Sequence, residues 1–274
     1  MKRTYQLLIS TMNQNNLSLV KKMRVSSDAI IINQCDHIDK ETIDHCGNKI
    51  QFYSFNERGV GLSRNSAMMR ATADIIEFAD DDMIFTDSYR EDVLREFEAH
   101  PEADAILFSV ESLNPKRPLL KIHKFARVRR REALKYGCAR LAIRREKVLY
   151  NNIAFSLLFG GGAKYGSGED TLFLQDCLRA GLRIYKSPVK VADITQEDST
   201  WFHGYTEKYF TDKGALFAAA MPKMCYAYAL ATAMCSSIPE FGKLSVLRLY
   251  VKGICSFKKR QRGGDRNYDT GKEQ

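Results

Sequence analysis

The chain has 274 residues, of which 45% are hydrophobic and 27% charged, and its net charge is +9. That length allows one sizeable core, or one domain with a helical segment added, and the composition excludes disorder outside a short tail. Seven cysteines (35, 46, 138, 177, 225, 235, 255) are odd in number and hold no CxxC pair, which argues against a disulfide framework or a structural zinc site and for reduced thiols in the cytoplasm.

The N-terminal residues run directly into an apolar stretch too short for a secretory signal. Tyr5–Ser10 is a strand candidate, followed by the polar run 11–16 and a helix over Leu17–Val25. Asp28–Asn33 is apolar on both faces, as a central parallel strand requires, and ends in Asn33-Gln34-Cys35-Asp36. Ile50–Phe55 is a third strand. A glycine-containing loop then leads into a helix over Ser63–Ala73. Ile75–Ala79 is a fourth strand, closed by Asp80-Asp81-Asp82; Asp87–Ala99 is helical and Ala105–Val110 is a fifth strand. Strands alternating with helices predict a doubly wound α/β sheet, whose ligands sit at the carboxyl ends of its strands. The polar clusters 11–16, 33–36 and 80–82 all fall at such ends.

Between Lys116 and Lys147 there are thirteen Lys and Arg against two acids, a patch that attracts polyanions. Glu169–Ala180 is a helix closed by Gly181. Leu182–Tyr185 and Val189–Ile194 are short strands, and from Thr206 onward the chain is helical. The apolar stretch Ala215–Cys235 is broken by Pro222 and Lys223, so it falls short of the roughly 20 uninterrupted residues that span a bilayer.

Three constellations carry chemistry. The carboxylates of Asp80, Asp81 and Asp82 repel one another after an apolar strand. A hard divalent cation would compensate, and so would a solvated turn. Glu57–Asn65 places Gly59, Gly61, Arg58 and Arg64 at a helix start, which suits a phosphate or a simple glycine turn. Gly166–Thr171 presents Glu169 and Asp170 at another helix start, as a general base or as acids that complement the helix dipole.

In order and spacing these stretches resemble family 2 glycosyltransferases. ERGVGLSRNSAMMRATADIIEFADDD resembles the family's N/E-x-G-x-x-x-A/S-R-N helix followed by a strand ending in D-x-D. GSGEDTLFLQDCLRAG resembles its G-x-x-E-D acceptor motif. IIINQCD stands where the family has V-V-D-D-G-S-x-D, and LLISTMNQ where it has I-I-P-T-Y-N. The resemblance covers roughly residues 5–185. It implies a GT-A fold: a Rossmann-like, mostly parallel sheet flanked by helices, here with a helical C-terminal region. It also implies an inverting enzyme that uses a nucleotide sugar. Asp80 and Asp82 would take Mg²⁺ or Mn²⁺, with Asp82 the more direct ligand. Asp170 would be the base and Glu169 its neighbour at the acceptor. Thr11, Asn13, Asn33, Asp36, Arg58, Arg64, Asp80 and Asp81 would line the nucleotide and diphosphate, and His203 would be a further metal ligand.

The expected organisation is a catalytic domain over 1–205, with a donor half at 1–112 and an acceptor half at 113–205. A helical extension follows over 206–260 and a flexible tail over 261–274. The donor is expected to be a UDP-sugar and the acceptor a glycan or lipid-linked glycan. The basic C-terminal region suggests peripheral contact with an anionic membrane at its inner face. A nucleic-acid-binding protein would explain the charge but leave the acids idle, so no nucleic acid is expected. A nucleotidyltransferase would need a glycine-rich basic loop after the first strand, and residues 11–16 have neither glycine nor a basic residue.

Overall fold

The structure is a computed structural model that describes residues 3–196, 204–238 and 240–268. In chain order the elements are β1 (Tyr5–Met12), α1 (Ser18–Lys22), β2 (Ala29–Gln34), β3 (Asp39–His45), β4 (Asn48–Phe55), α2 (Val60–Arg70), β5 (Ile75–Asp80), β6 (Met83–Phe85) and α3 (Tyr89–Ala99). They continue with β7 (Ala105–Ser112), β8 (Ala126–Arg127), α4 (Arg130–Ala133), β9 (Leu141–Arg144), α5 (Arg145–Tyr150), α6 (Glu169–Arg179), β10 (Ile184–Ile194), α7 (Glu207–Ala220), α8 (Cys225–Met234) and α9 (Lys243–Tyr268).

The ten strands form one sheet in the order β3-β4-β2-β1-β5-β9-β7-β10-β6, with β8 beside β10. β4, β2, β1, β5, β7 and β10 share one direction, and β3, β9, β6 and β8 run against it. Side-chain alternation along the inner strands fills two cores. Leu7, Ile9 and Ile31 point to one face, under α1 and α3, where Leu19, Tyr89, Val93 and Phe97 meet them. Leu8, Ile30, Ile32 and Phe78 point to the other, under α2 and α6, where Met68, Phe173 and Cys177 meet them. Each such fully buried side chain contributes on the order of 2 kcal/mol of apolar transfer. This is the mostly parallel α/β architecture that the alternation predicts.

Four strands were not legible in that alternation: β3, β6, β8 and β9. The two short strands expected over 182–194 are instead one strand, β10, with register shifts between Lys186 and Lys190 and between Lys190 and Ala192. Pro188 lies in that irregular stretch and has no N–H to give the ladder, and Ser187 Oγ takes up the amide of Val189 at 3.1 Å. The helix expected over 17–25 is only five residues long, and the one expected over 63–73 begins earlier, at Val60.

By internal packing the chain divides into two units, Met1–Leu157 with Glu169–Ser199, and Leu158–Gly168 with Thr200–Gln274. The sheet lies wholly in the first. In the second, α7 and α9 cross at glycines: a Cβ on Gly214 would lie 2.1 Å from the Tyr250 carbonyl oxygen, and one on Gly253 would lie 1.9 Å from that of Thr211. Phe257 of α9 packs on the ring pair Phe159 and Tyr165, with centroids 5.7 and 5.8 Å away. The tail expected from residue 261 is helical to Tyr268, because extending an established helix costs little per residue. Among the described residues no helix is long and apolar enough to cross a membrane.

Candidate active site

Arg64 organises the site. It lies in α2 with 2% of its surface exposed, and its two terminal nitrogens reach acids from two other elements. Nη2 donates to Asp80 Oδ1 at the end of β5 (2.8 Å), and Nη1 donates to Asp170 Oδ1 in the first turn of α6 (2.5 Å). Glu169 Oε1 is 3.7 Å from the same Nη1. Burial works against the Arg64 charge, but Asp170, Asp80 and Glu169 outweigh it and hold its pKa above the usual value.

The placement of α2 has local causes. Gly59 precedes it at φ +132°, a left-handed conformation that favours glycine, and its amide donates to Gln34 Oε1 at 2.6 Å. Gly61 lies so close to the chain that a Cβ would be 2.6 Å from the Ser156 carbonyl oxygen. Ser63 Oγ donates to Ser10 Oγ (2.9 Å), tying the helix to β1. Asn65 exchanges two hydrogen bonds with the Phe155 backbone, at 2.9 and 2.8 Å.

The three acids after β5 diverge rather than converge. Asp80 faces Arg64, whereas Asp81 Oδ2 accepts from Thr11 Oγ1. The Asp82 carboxyl has an oxygen, Oδ1, that is buried without a partner. Burial, followed by the charges of Asp80 and Asp81, pushes the Asp82 carboxyl up to about 6. An orphaned oxygen beside two other acids fits a divalent cation, which would offset all three charges. Among the described residues the one trio of ligand atoms within 4.8 Å of one another is elsewhere, at Cys35, Asp36 and His37. His203 lies outside the described residues.

Glu169 is pushed up to about 7 by burial and then by Asp170, against the pull of Arg64. Beside the pair runs the segment 136–140. A Cβ on Gly137 would be 3.1 Å from Asp170 Oδ2, and Cys138 Sγ lies 3.8 Å from the Asp170 carbonyl oxygen. Burial and the Asp170 charge keep Cys138 a protonated thiol, which removes it as a nucleophile.

The remaining expected residues gather at the ends of β1, β2 and β4. Arg58 donates to the Cys35 carbonyl (2.8 Å), to the Glu57 carbonyl (2.9 Å) and to Asn13 Oδ1 (3.4 Å). Asn13 is in the left-handed region at φ 52°. Asp36 is exposed and paired with His37 at 2.9 Å. Asn33 is fully buried, and its amide is occupied by the Gln14 backbone and Ser54 Oγ. Gln34, Ser63 and Asn65 lie in stretches that the sequence marks, but their positioning work is not legible there, and the 136–140 segment carries no motif.

Residues 29–155 match the family model described as Glycosyl transferase family 2. No curated protein matches the chain in sequence. Among solved structures it is similar to S. aureus TarS 1–349 in complex with UDP-GlcNAc: 15% identity over 93% of this chain and 73% of that one, with a TM-score of 0.60. The same protein in complex with UDP is 14% identical over 93% and 91% of the two chains, also at 0.60. A longer TarS structure matches at 15% identity and a TM-score of 0.57, with 43% of that chain covered. Those likenesses establish a GT-A type architecture, and within it residues 29–155 match the family 2 glycosyltransferase model.

Proposed function

We propose that this glycosyltransferase moves a sugar from a UDP-sugar to a hydroxyl of a glycan or lipid-linked glycan, with inversion at the anomeric carbon. The observation that carries the reading is the bridge by one buried arginine between Asp80 and Asp170. In this reading Asp170 takes the proton of the acceptor hydroxyl. That oxygen bonds to the anomeric carbon while the bond to the diphosphate oxygen breaks on the opposite face. Glu169, poised near neutrality, can hold or share a proton with the acceptor. Arg64 fixes the distance between the donor end and the base. Mg²⁺ or Mn²⁺ held by Asp82 and Asp80 would neutralise charge on the leaving diphosphate.

The nucleotide would lie along Thr11, Asn13, Asp36 and Arg58. UDP is the first choice because a protein of similar fold, TarS, has been solved with UDP-GlcNAc and with UDP. Screening UDP-, GDP- and TDP-sugars with Mn²⁺ tests the donor. A rise in unfolding temperature with UDP-sugars alone is expected, and a response confined to another nucleotide would replace UDP.

Membrane contact would use the second unit. On α8 the side chains of Tyr226, Leu230 and Met234 form an apolar stripe, 46%, 49% and 55% exposed. Lys258 of α9 lies over the Tyr226 ring at 4.7 Å, and Lys243–Arg260 holds six basic residues and no acid. Apolar side chains edged by cations suit an anionic bilayer surface.

A further inference from the structure

Arg140 is a buried cation that the mechanism above does not use. Only 5% of its surface is exposed, its Nη1 is sealed without a partner, and among the described residues no carboxylate pairs with it. Its guanidinium lies over the Tyr136 ring at 5.2 Å. Burial lowers its pKa, with only the interaction with Tyr136 opposing. Arginine is almost never buried unless paired, because desolvating an uncompensated charge is costly.

Its place in the fold gives the orphan a meaning. The Arg140 carbonyl accepts from the Phe108 amide of β7 at 2.9 Å, just before β9 begins. β9 runs antiparallel to β5 with Ala142 opposite Glu77, so the step back to Arg140 leads toward Asp80. That is the carboxyl edge of the parallel strands, where substrates bind. The same short segment holds Gly137 and Cys138 against Asp170. The basic run 116–131 leads into it.

We infer that Arg140 is an oxyanion-binding residue that takes a phosphate or carboxylate group of a substrate at the carboxyl edge of β5. A planar guanidinium with an unpaired donor matches either group, and the arriving charge replaces the missing partner. The anion belongs either to the donor diphosphate or to an acidic acceptor. Only the choice between these two rests on the glycosyltransferase reading.

The test compares full-length wild type with Arg140→Met and Arg140→Lys. Unfolding temperatures and affinities are measured with inorganic phosphate, pyrophosphate, UDP and uridine. Without ligand, Arg140→Met should unfold at the same temperature as wild type or higher, since it removes an unpaired buried charge. It should bind phosphate at least tenfold more weakly, with partial rescue by lysine. If UDP binding falls with it while uridine binding holds, the anion is the donor's diphosphate. Unchanged UDP binding with lost phosphate binding assigns it to the acceptor. Equal responses of wild type and Arg140→Met to all four ligands would overturn the inference. So would a drop in the ligand-free unfolding temperature of Arg140→Met with phosphate binding intact, which would make Arg140 a purely structural partner of Tyr136. Each of these outcomes is read from binding and unfolding, without turnover.

Discussion

Buried charge is used in three ways in this protein. Arg64 is compensated by acids, Arg140 has none among the described residues, and Glu77 keeps its proton. Glu77 sits in the core on β5, fully buried, and Tyr5 Oη donates to it at 2.6 Å. Burial pushes its carboxyl up to about 7, from a usual 4.5. The folded protein therefore retains this proton over a range where the unfolded chain releases it. Stability from this group is fully present below pH 4.5 and is lost as pH rises through 7. Glu77→Gln keeps the acceptor without the titration. It should be more stable than wild type at pH 8, by up to about 3 kcal/mol, and close to wild type at pH 4.5. Denaturant unfolding at both values checks this; the same difference at each would refute it. At this scale the sequence was partly legible. Asp80 and Asp170 each stood out beside a strand end or a helix start. Arg64 stood out as a phosphate contact but not as their common partner, because the chain separates it from Asp170 by 106 residues. The expectation that Asn33 meets the nucleotide came from its position after a strand. Position could not reveal that its amide is taken up by Gln14 and Ser54.

Elements with strong patterns were read correctly, and those that depend on partners were not. β2 and β5 are apolar on both faces and could only be central strands. β9, with four residues inside a basic stretch, gains strand form from β5 and β7 on either side. β3 is polar and mostly exposed, joined to β4 by Cys46 and Gly47, at φ 54° and 77°. That two-residue turn has the positive angles of a type I′ hairpin, but cysteine at its first position hides the signal. The crossing of α7 and α9 was equally invisible, since its glycines read as weak helix formers. It makes a sharp prediction. Gly253→Ala would raise helix propensity by roughly 0.5–1 kcal/mol, yet its methyl would meet the Thr211 backbone. Backbone cannot step aside as a side-chain tip can, so a net loss of stability is expected in thermal unfolding. Gly242→Ala, with nothing within 4 Å of the added Cβ, is the control and should change little. Equal stability of the two variants would contradict the crossing.

At the scale of the whole molecule, Arg64, Asp80, Asp82, Glu169 and Asp170 lie in the unit that holds the sheet, and the apolar stripe of α8 lies in the other. Membrane contact can therefore be tested apart from chemistry. Vesicles of phosphatidylglycerol should sediment the protein at low salt, phosphatidylcholine vesicles should not, and Leu230→Glu should weaken the binding. Absence of sedimentation with phosphatidylglycerol would remove the peripheral role and leave the transferase intact. The central claim is that Arg64 holds a donor site and a base together while Asp170 acts only in the chemistry. Its most direct test is Asp170→Asn, which keeps shape and a hydrogen bond to Arg64 but cannot accept the acceptor proton. UDP should bind this variant about as tightly as wild type while sugar transfer falls by a factor of about 10² to 10⁴, the usual worth of a positioned general base. Transfer at the wild-type rate by Asp170→Asn, with UDP bound equally, would contradict the account.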